Sequence, residues 1–170
     1  YEYFEAFGFT EKTGIDLPAE SMPVAGVTYH SLDSMGIVEL SSSSFGQTFQ
    51  VTPIQMITAI SAIANGGKLM TPYLVQKQLD ANNNVISETQ PTVRRQVISE
   101  QTAKTVADMM EAVVSSGTGK NAYVAGYRVA GKTGTSQKIG TAKGEYVASF
   151  GCFAPADDPQ IAILVLLDSP

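Results

Sequence analysis

The sequence predicts an α+β fold in which helices pack against an antiparallel sheet. Two segments with helical periodicity, residues 52–64 and 99–115, occupy the middle of the 170-residue chain. From residue 126 onward the chain instead contains three strand-like runs joined by short connections, and short connections imply antiparallel neighbours. Helices followed by a meander of strands are typical of a sheet covered by helices.

The first fifty residues predict little regular structure. Residues 1–7 are polar and aromatic at helical spacing, and Gly8 is predicted to end this helical segment, so they resemble the tail of a helix. Residues 9–50 are rich in Gly, Pro, Ser and Thr and show no sustained period. A segment of this length without regular structure is usually functional or wraps another part of the protein.

The first long helix is marked at both ends. Thr52 can cap it, Pro53 suits its first turn, and Gln55 completes a capping box. Residues 65–67, Asn-Gly-Gly, end it because they tolerate left-handed backbone conformations. Its predicted buried face consists of apolar residues at helical spacing: Ile54, Ile57, Ile60, Ile63 and Ala64.

A hairpin and a second helix are predicted next. Residues 73–79 and 85–87 flank the turn sequence DANNN. Ser99 then caps a helix, which Ser-Gly-Thr-Gly at 116–119 ends. Its predicted buried stripe is Val106, Met109, Met110, Val113 and Val114.

The three predicted strands are residues 127–135, Tyr146–Ala154 and Ile161–Asp168, with a turn at 156–159. We expect an antiparallel meander that places residues 132–135 on an edge strand facing a groove. Cys152, the only cysteine, lies in the second strand and is expected to be a small core residue.

Composition excludes several classes of function. The net charge is −5 and no basic stripe is present, so a nucleic-acid partner is not expected. One cysteine and one histidine, His30, cannot form an internal disulfide or a zinc site, and we expect no metal or cofactor. The longest apolar run, residues 161–167, is far shorter than the roughly 20 residues of a membrane span.

Lys-Thr-Gly occurs twice, at 12–14 and at 132–134. The second copy also completes a phosphate-loop pattern, GxxxxGK[ST], from Gly126 to Thr133, and ILVLLD, ending at Asp168, resembles a magnesium-binding strand. A phosphate loop must open a helix, however. Strand-forming residues 127–129 precede the pattern, and Gly134, Gly140 and Gly144 disfavour a helix after it. A nucleotide-binding protein therefore remains a remote alternative.

A strand explains the second copy better. Thr133 and Thr135 are two residues apart and so share a face, whereas Lys132 points to the opposite face unless a twist or bulge redirects it. Gly134 lets another chain approach closely. Hydroxyls and a cation on such a strand suit recognition of a carboxylate.

The chain also resembles class B penicillin-binding proteins, whose third active-site motif is KTG. EAVVSSGTGKNAYVAGYRVAGKTGTSQK is similar to their helix-to-strand passage. SFGQTFQVTPIQMITAISAIANGGKLMTPYLV resembles their upstream helix, and EAFGFTEKTGIDLPAE resembles the segment after their second motif. The resemblance covers nearly the whole chain and is nearest to the division and sporulation branch.

The resemblance implies a β-lactamase/penicillin-binding transpeptidase-like fold and a partial domain. Residues 1–170 would be the C-terminal part of one transpeptidase domain, lacking the nucleophile-bearing half and the last helix. The intact enzyme would cross-link peptidoglycan stem peptides ending in D-Ala–D-Ala through an acyl-serine intermediate, and β-lactam antibiotics would acylate the same serine.

The resemblance also implies roles for individual residues. Lys132 would supply positive potential and help proton transfer, and the backbone N–H of Thr135 would donate to the oxyanion. The hydroxyls of Thr133 and Thr135 would hold the substrate carboxylate, Gly134 would keep the strand surface open, and Ser136 belongs to the same substrate-binding set.

Two family motifs are missing from this sequence. No serine has lysine three positions later, and no Ser or Tyr precedes an asparagine by two positions. The serines at 41–44 are expected in a surface turn and residues 12–14 in a loop. A catalytically inactive scaffold module, a β-lactamase and a D,D-carboxypeptidase remain alternatives to a transpeptidase.

The resemblance places the protein on the extracytoplasmic face of the bacterial cytoplasmic membrane, with its anchor outside this chain. The apolar strand at 161–167 would lack its family partner here. Unpaired apolar edges recruit other chains, so we expect the isolated chain to self-associate.

Overall fold

The structure is a computed structural model that describes residues 1–138 and 145–170. Its α-helices are α1 (Glu2–Ala6), α2 (Ile37–Ser43), α3 (Pro53–Ala64) and α4 (Glu100–Ser115). Its strands are β1 (Lys68–Met70), β2 (Lys77–Leu79), β3 (Val85–Glu88), β4 (Val93–Gln96), β5 (Ala130–Gln137), β6 (Tyr146–Ala154) and β7 (Ile161–Asp168).

The predicted α+β architecture is confirmed. Strands β5, β6 and β7 form an antiparallel sheet in that order. The buried core joins this sheet to α4 through Ala107, Met110, Ala130 and Phe153, and α3 packs beside it. The first strand starts at Ala130 rather than at Tyr127, because a turn with Gly126 at φ +85° directly precedes this segment.

The phosphate-loop alternative is wrong. Strand β5 continues through Thr133 to Gln137, so no helix opens where a phosphate would need its N–H groups. Gly140 and Gly144, which also disfavour a helix in the sequence, lie outside the described residues.

The cap of α3 forms as predicted, but its buried face is rotated. The Thr52 Oγ1 accepts from the Gln55 N–H at 3.3 Å, and the Gln55 side chain accepts from the Thr52 N–H at 2.9 Å. The buried residues are Gln55, Thr58, Ala59 and Ala62, whereas the predicted isoleucines are half-buried. The N-terminal segment turns this face inward, because the Gln55 amide donates to the carbonyls of Gly8 and Glu11 at 3.3 and 2.9 Å.

Helix α4 starts at the predicted cap, since the Ser99 side chain accepts from the Thr102 N–H. Its buried residues are Ala103, Ala107, Met110 and Val114. Met109, predicted in the stripe, is 63% exposed, so that assignment is wrong. Ala107 lies in one core cluster with Ala130 and Phe153 of the sheet, and its small side chain permits a close approach on this side of the helix.

Helix α2 was not expected from the sequence. The serines at 41–44 form its last turn and C-cap rather than a surface turn. The Ser41 and Ser42 hydroxyls donate back to the carbonyls of Ile37 and Val38 at 2.7 and 2.9 Å. Serine is a weak helix former, because its hydroxyl can bond to nearby backbone groups in other conformations as well. A run of serines therefore does not predict a helix.

The remaining strands form two small ribbons. The predicted hairpin is confirmed as β2 with β3, although its first strand begins only at Lys77. The pairing of β1 with β4 was not predicted, because each strand has too few residues to show a period. None of the described helices is both long and apolar enough to span a membrane.

Candidate functional site

Residues 132–136 lie on β5, which is an outer strand of the three-stranded sheet. The predicted edge position is therefore confirmed. Pairing with β6 runs without a break from Ala130 opposite Phe153 to Gln137 opposite Tyr146. No bulge redirects Lys132, so its Cα–Cβ bond points to the face opposite Thr133 and Thr135.

One contact shows in which direction the backbone groups of Thr135 point. The Gln47 side-chain amide, which lies in the loop after α2, donates to the Thr135 carbonyl at 3.3 Å. In an antiparallel strand, the N–H and C=O of a residue point to the same side, and the side alternates along the chain. The N–H and C=O groups of Thr133 and Thr135 therefore point away from β6, toward the open edge.

The ammonium of Lys132 reaches the same edge by bending. Its side chain is exposed, and Nζ donates to the Thr133 carbonyl at 2.7 Å. A positive charge thus lies beside outward-pointing backbone groups, although the residue starts on the other face. An anion at this edge would meet both a charge and N–H donors.

The threonine hydroxyls differ in their surroundings. Thr133 is half-buried, and its Oγ1 shares a hydrogen bond with the Thr118 Oγ1 at 3.2 Å. Thr135 and Ser136 are exposed. Thr118, in the segment that ends α4, thus orients one hydroxyl of the site. The sequence showed Thr118 only as part of a helix stop, so its contact with the strand was missed.

Glycines 131 and 134 let β5 pack closely on β6. A Cβ on Gly134 would lie 2.4 Å from the Ser149 Oγ, and one on Gly131 would lie 2.4 Å from the Phe150 Cζ. The glycine in KTG therefore has a packing reason inside the sheet, in addition to the open surface expected for substrate.

The first Lys-Thr-Gly copy lies in a loop, as predicted. Thr13 is only 3% exposed, and both its N–H and its Oγ1 donate to the Glu20 carboxylate at 2.6 Å. Gly14 N–H donates to the other Glu20 oxygen at 3.1 Å. Thr13 thus holds the loop together, while Lys12 is exposed.

Glu20 is expected to make this loop acid-labile. Partial burial raises the pKa of Glu20, but the hydrogen bonds from Thr13 and Gly14 outweigh it and lower the pKa below its usual value. A lowered folded-state pKa contributes stability above the unfolded pKa and loses it as pH falls through the folded value. Below about pH 5, the midpoint temperature of thermal unfolding should therefore fall less steeply with pH in Glu20→Gln than in the wild-type chain. Glu2→Gln, at the exposed start of α1, is the control. An unchanged pH dependence in Glu20→Gln would contradict the assignment.

Cys152 is a small, half-buried strand residue opposite Gly131 in the register. Burial raises the pKa of its thiol. A thiol whose pKa is raised holds little thiolate at neutral pH and is a poor nucleophile. This environment supports the packing role predicted from the sequence.

A cavity of about 230 Å³ lies between α1 and α2, away from the β5 edge. Aromatic side chains, including Phe4, Tyr29 and Phe49, form much of its wall. None of residues 132–136 lines this cavity. The cavity therefore does not add to the site on β5.

The sequence and the fold of this chain match those of a known protein family. Residues 1–170 match the family described as the penicillin binding protein transpeptidase domain. The chain belongs to this family, and the resemblance to class B penicillin-binding proteins is confirmed.

Curated relatives include a sporulation protein, a penicillin-binding protein and a peptidoglycan D,D-transpeptidase homolog. The chain is 44% identical over its whole length to stage V sporulation protein D of Bacillus subtilis and covers 26% of that protein. It is 34% identical over its whole length to penicillin-binding protein PbpB of Mycolicibacterium smegmatis and covers 27% of it. It is 35% identical to the peptidoglycan D,D-transpeptidase FtsI homolog of Mesostigma viride, over 78% of this chain and 25% of that protein.

Solved structures share the fold at similar identity. Penicillin-binding protein 3 of Mycobacterium tuberculosis, solved with aztreonam, superposes with a TM-score of 0.90 at 32% identity, covering 100% of this chain and 40% of that one. The transpeptidase domain of Burkholderia pseudomallei penicillin-binding protein 3 gives a TM-score of 0.81 at 30% identity, covering 99% of this chain and 48% of that one. The chain thus spans about a quarter of the curated relatives' length.

Proposed function

We propose that this chain is the C-terminal part of the transpeptidase domain of a serine-type D,D-transpeptidase. The whole protein would cross-link peptidoglycan stem peptides through an acyl-serine intermediate and be acylated by β-lactams. The open edge of β5 carries this proposal, because it combines the Lys132 ammonium with outward backbone groups at Thr133 and Thr135. Relatives named as D,D-transpeptidases and a relative solved with aztreonam support it.

The proposed reaction has two acyl transfers. A serine from a part of the protein outside these residues attacks the carbonyl between the two D-alanines, forms an ester, and releases the terminal D-alanine. The amine of a second stem peptide then attacks the ester, forms the cross-link, and frees the serine. A β-lactam opens its ring on the same serine and stays attached.

Residues of β5 would bind the donor stem peptide in this reaction. The hydroxyls of Thr133 and Thr135, with Ser136 beside them, would bind the donor carboxylate. The Thr135 N–H, directed at the open edge, would donate to the oxyanion of each tetrahedral intermediate. The Lys132 ammonium would lower the energy of the anionic donor and help proton transfer, and Gly134 would leave room for the donor to pair along the strand.

The isolated 170-residue chain is not expected to react with penicillin. None of its serines has lysine three positions later to act as the base. A fluorescent penicillin followed by mass spectrometry should therefore label the full-length protein on an upstream SxxK serine and leave this chain unlabelled. Failure of the full-length protein to react would favour an inactive scaffold module instead. An adduct on any serine of residues 1–170 would contradict the assignment of motifs.

The proposed substrate also sets the location. Cross-linking of peptidoglycan takes place outside the cytoplasm, so we place the domain on the extracytoplasmic face of the bacterial cytoplasmic membrane. A membrane anchor would lie in a segment outside this chain.

We also propose that the isolated chain self-associates through β7. This strand is the other outer strand of the sheet. One of its faces presents exposed apolar side chains: Ile161, Ile163, Val165 and Leu167. Outer strands with such faces pair with further strands, and apolar patches of this kind favour association.

Light scattering coupled to size exclusion tests this association. We expect oligomers of the wild-type chain at micromolar concentration and a shift toward monomer in Val165→Lys, because a charge on an outer strand opposes pairing. A matched control is Val85→Lys, at an exposed position of β3. A monodisperse wild-type monomer whose residues 161–167 are protected from hydrogen exchange would contradict the proposal.

A further inference from the structure

The loop that follows α2 is built to hold Gln47 against β5. Gly46 and Thr48, on either side of Gln47, both have left-handed backbones, at φ +89° and +63°. Such a conformation is costly for threonine. Here it is held by the Thr48 Oγ1, which shares hydrogen bonds with the Ser42 and Ser43 hydroxyls at 2.8 and 3.1 Å.

The backbone of the loop is tied down as well. The Gln47 N–H donates to the Ser42 carbonyl at 3.1 Å. The serines at the end of α2 therefore anchor the loop. Its orientation brings the half-buried Gln47 side chain to a strand 88 positions away in sequence.

The contact that Gln47 makes there is the one that an added strand would make. A residue entering antiparallel to Thr135 would accept from the Thr135 N–H and donate its own N–H to the Thr135 carbonyl. The Gln47 amide already donates to that carbonyl, at 3.3 Å. In the free protein, the Thr135 carbonyl, one of its two outward-pointing backbone groups, is thus already hydrogen-bonded to Gln47.

We propose that Gln47 is a specificity-determining residue, whose amide must yield the Thr135 carbonyl to the backbone N–H of an extended peptide donor. This inference rests on the proposed function. In a D-Ala–D-Ala donor, one residue carries both the reacting carbonyl and the adjacent N–H. Pairing that residue with Thr135 would direct its carbonyl oxygen to the Thr135 N–H and its N–H to the carbonyl now held by Gln47.

The competition has a chemical signature. A ligand with an amide N–H beside its reacting carbonyl must displace Gln47, whereas a ligand without that N–H does not. A typical net hydrogen bond corresponds to a change of about threefold to tenfold in a rate or equilibrium constant. Removal of the Gln47 amide should therefore favour the first kind of ligand selectively.

The test uses the full-length protein with ampicillin, which has a 6-acylamino N–H, and penicillanic acid, which has the same fused rings without it. The measured quantity is the ratio of their second-order acylation rate constants. In Gln47→Met, which keeps the side-chain length but lacks the donor, the ampicillin to penicillanic acid ratio should rise about threefold to tenfold. The matched control is Gln160→Met, because Gln160 also donates to a backbone carbonyl, that of Asp158 at 3.2 Å, in the turn between β6 and β7 at the Ala130 end of the sheet, away from Thr135.

Gln47→Asn provides a second variant, in which the amide is one methylene too short to reach Thr135. The same rise in the ampicillin to penicillanic acid ratio is expected in Gln47→Asn. This variant tests the role of Gln47 if Gln47→Met does not fold. An unchanged or lower ratio in the variants would overturn the role of Gln47 while leaving the proposed function intact. Failure of both probes to acylate the wild-type protein would overturn the proposed function, and this inference with it.

Discussion

Replacing Lys132 with alanine or Thr133 with valine in the full-length protein is expected to slow acylation by penicillin about 10²–10³-fold. Each change removes a group that lies at the open edge of β5: the ammonium 2.7 Å from the Thr133 carbonyl, or the hydroxyl 3.2 Å from Thr118 Oγ1. Loss of one preorganised contact to the oxyanion or to the carboxylate typically costs about this much. The second-order rate constant of labelling by a fluorescent penicillin measures the effect.

The duplicated motif supplies the control. Lys12→Ala changes the same residue type in the same tripeptide, but its exposed side chain lies in the 12–14 loop, so the acylation rate should not change. Thr13→Val is a test of stability instead, because Thr13 is buried and bonded to Glu20. Equal losses of rate in Lys12→Ala and Lys132→Ala would contradict the assignment of the site to β5.

Gly67→Ala is expected to lower the free energy of unfolding by about 2–5 kcal/mol, the sum of a left-handed backbone and overpacking. Gly67 lies in the turn after α3 with φ +85°, and a Cβ there would lie 2.0 Å from the Ile98 carbonyl oxygen. A backbone atom cannot move aside as a flexible side chain can. Urea denaturation of the chain measures the loss.

Gly26→Ala separates the two causes. Gly26 has a similar backbone, at φ +77°, but nothing lies within 4 Å of a Cβ there. It should therefore show only the backbone term, about 1–2 kcal/mol. Equal losses at the two glycines would show that the contact with Ile98 is not what requires glycine at Gly67.

Local signals made the ends of helices and the long strands predictable. The Thr52 and Ser99 caps act within three residues of themselves, and both form as the sequence indicates. Strands β6 and β7 match their predicted bounds. For β7 the signal is a continuous apolar run, residues 161–167, directly after the turn residues at 156–159. The position of Lys132 and Thr133 on an outer strand followed from the same reasoning.

Tertiary contacts account for what the sequence could not show. The buried face of α3 is set by the bonds of Gln55 to the N-terminal segment, and that of α4 by the close approach of Ala107 to the sheet. Apolar periodicity instead predicted that the isoleucines of α3 and Met109 of α4 would be buried. The contact of Gln47 with Thr135 joins residues far apart in the chain, and no local pattern at either position indicates it.

A crystal structure of the full-length protein acylated by ampicillin would show whether β5 binds the ligand. The ligand is expected to lie along β5, with its carboxylate on the Thr133 and Thr135 hydroxyls and its ester carbonyl oxygen within hydrogen-bond distance of the Thr135 N–H. A covalently bound ligand that makes no contact with residues 132–136 would contradict this expectation.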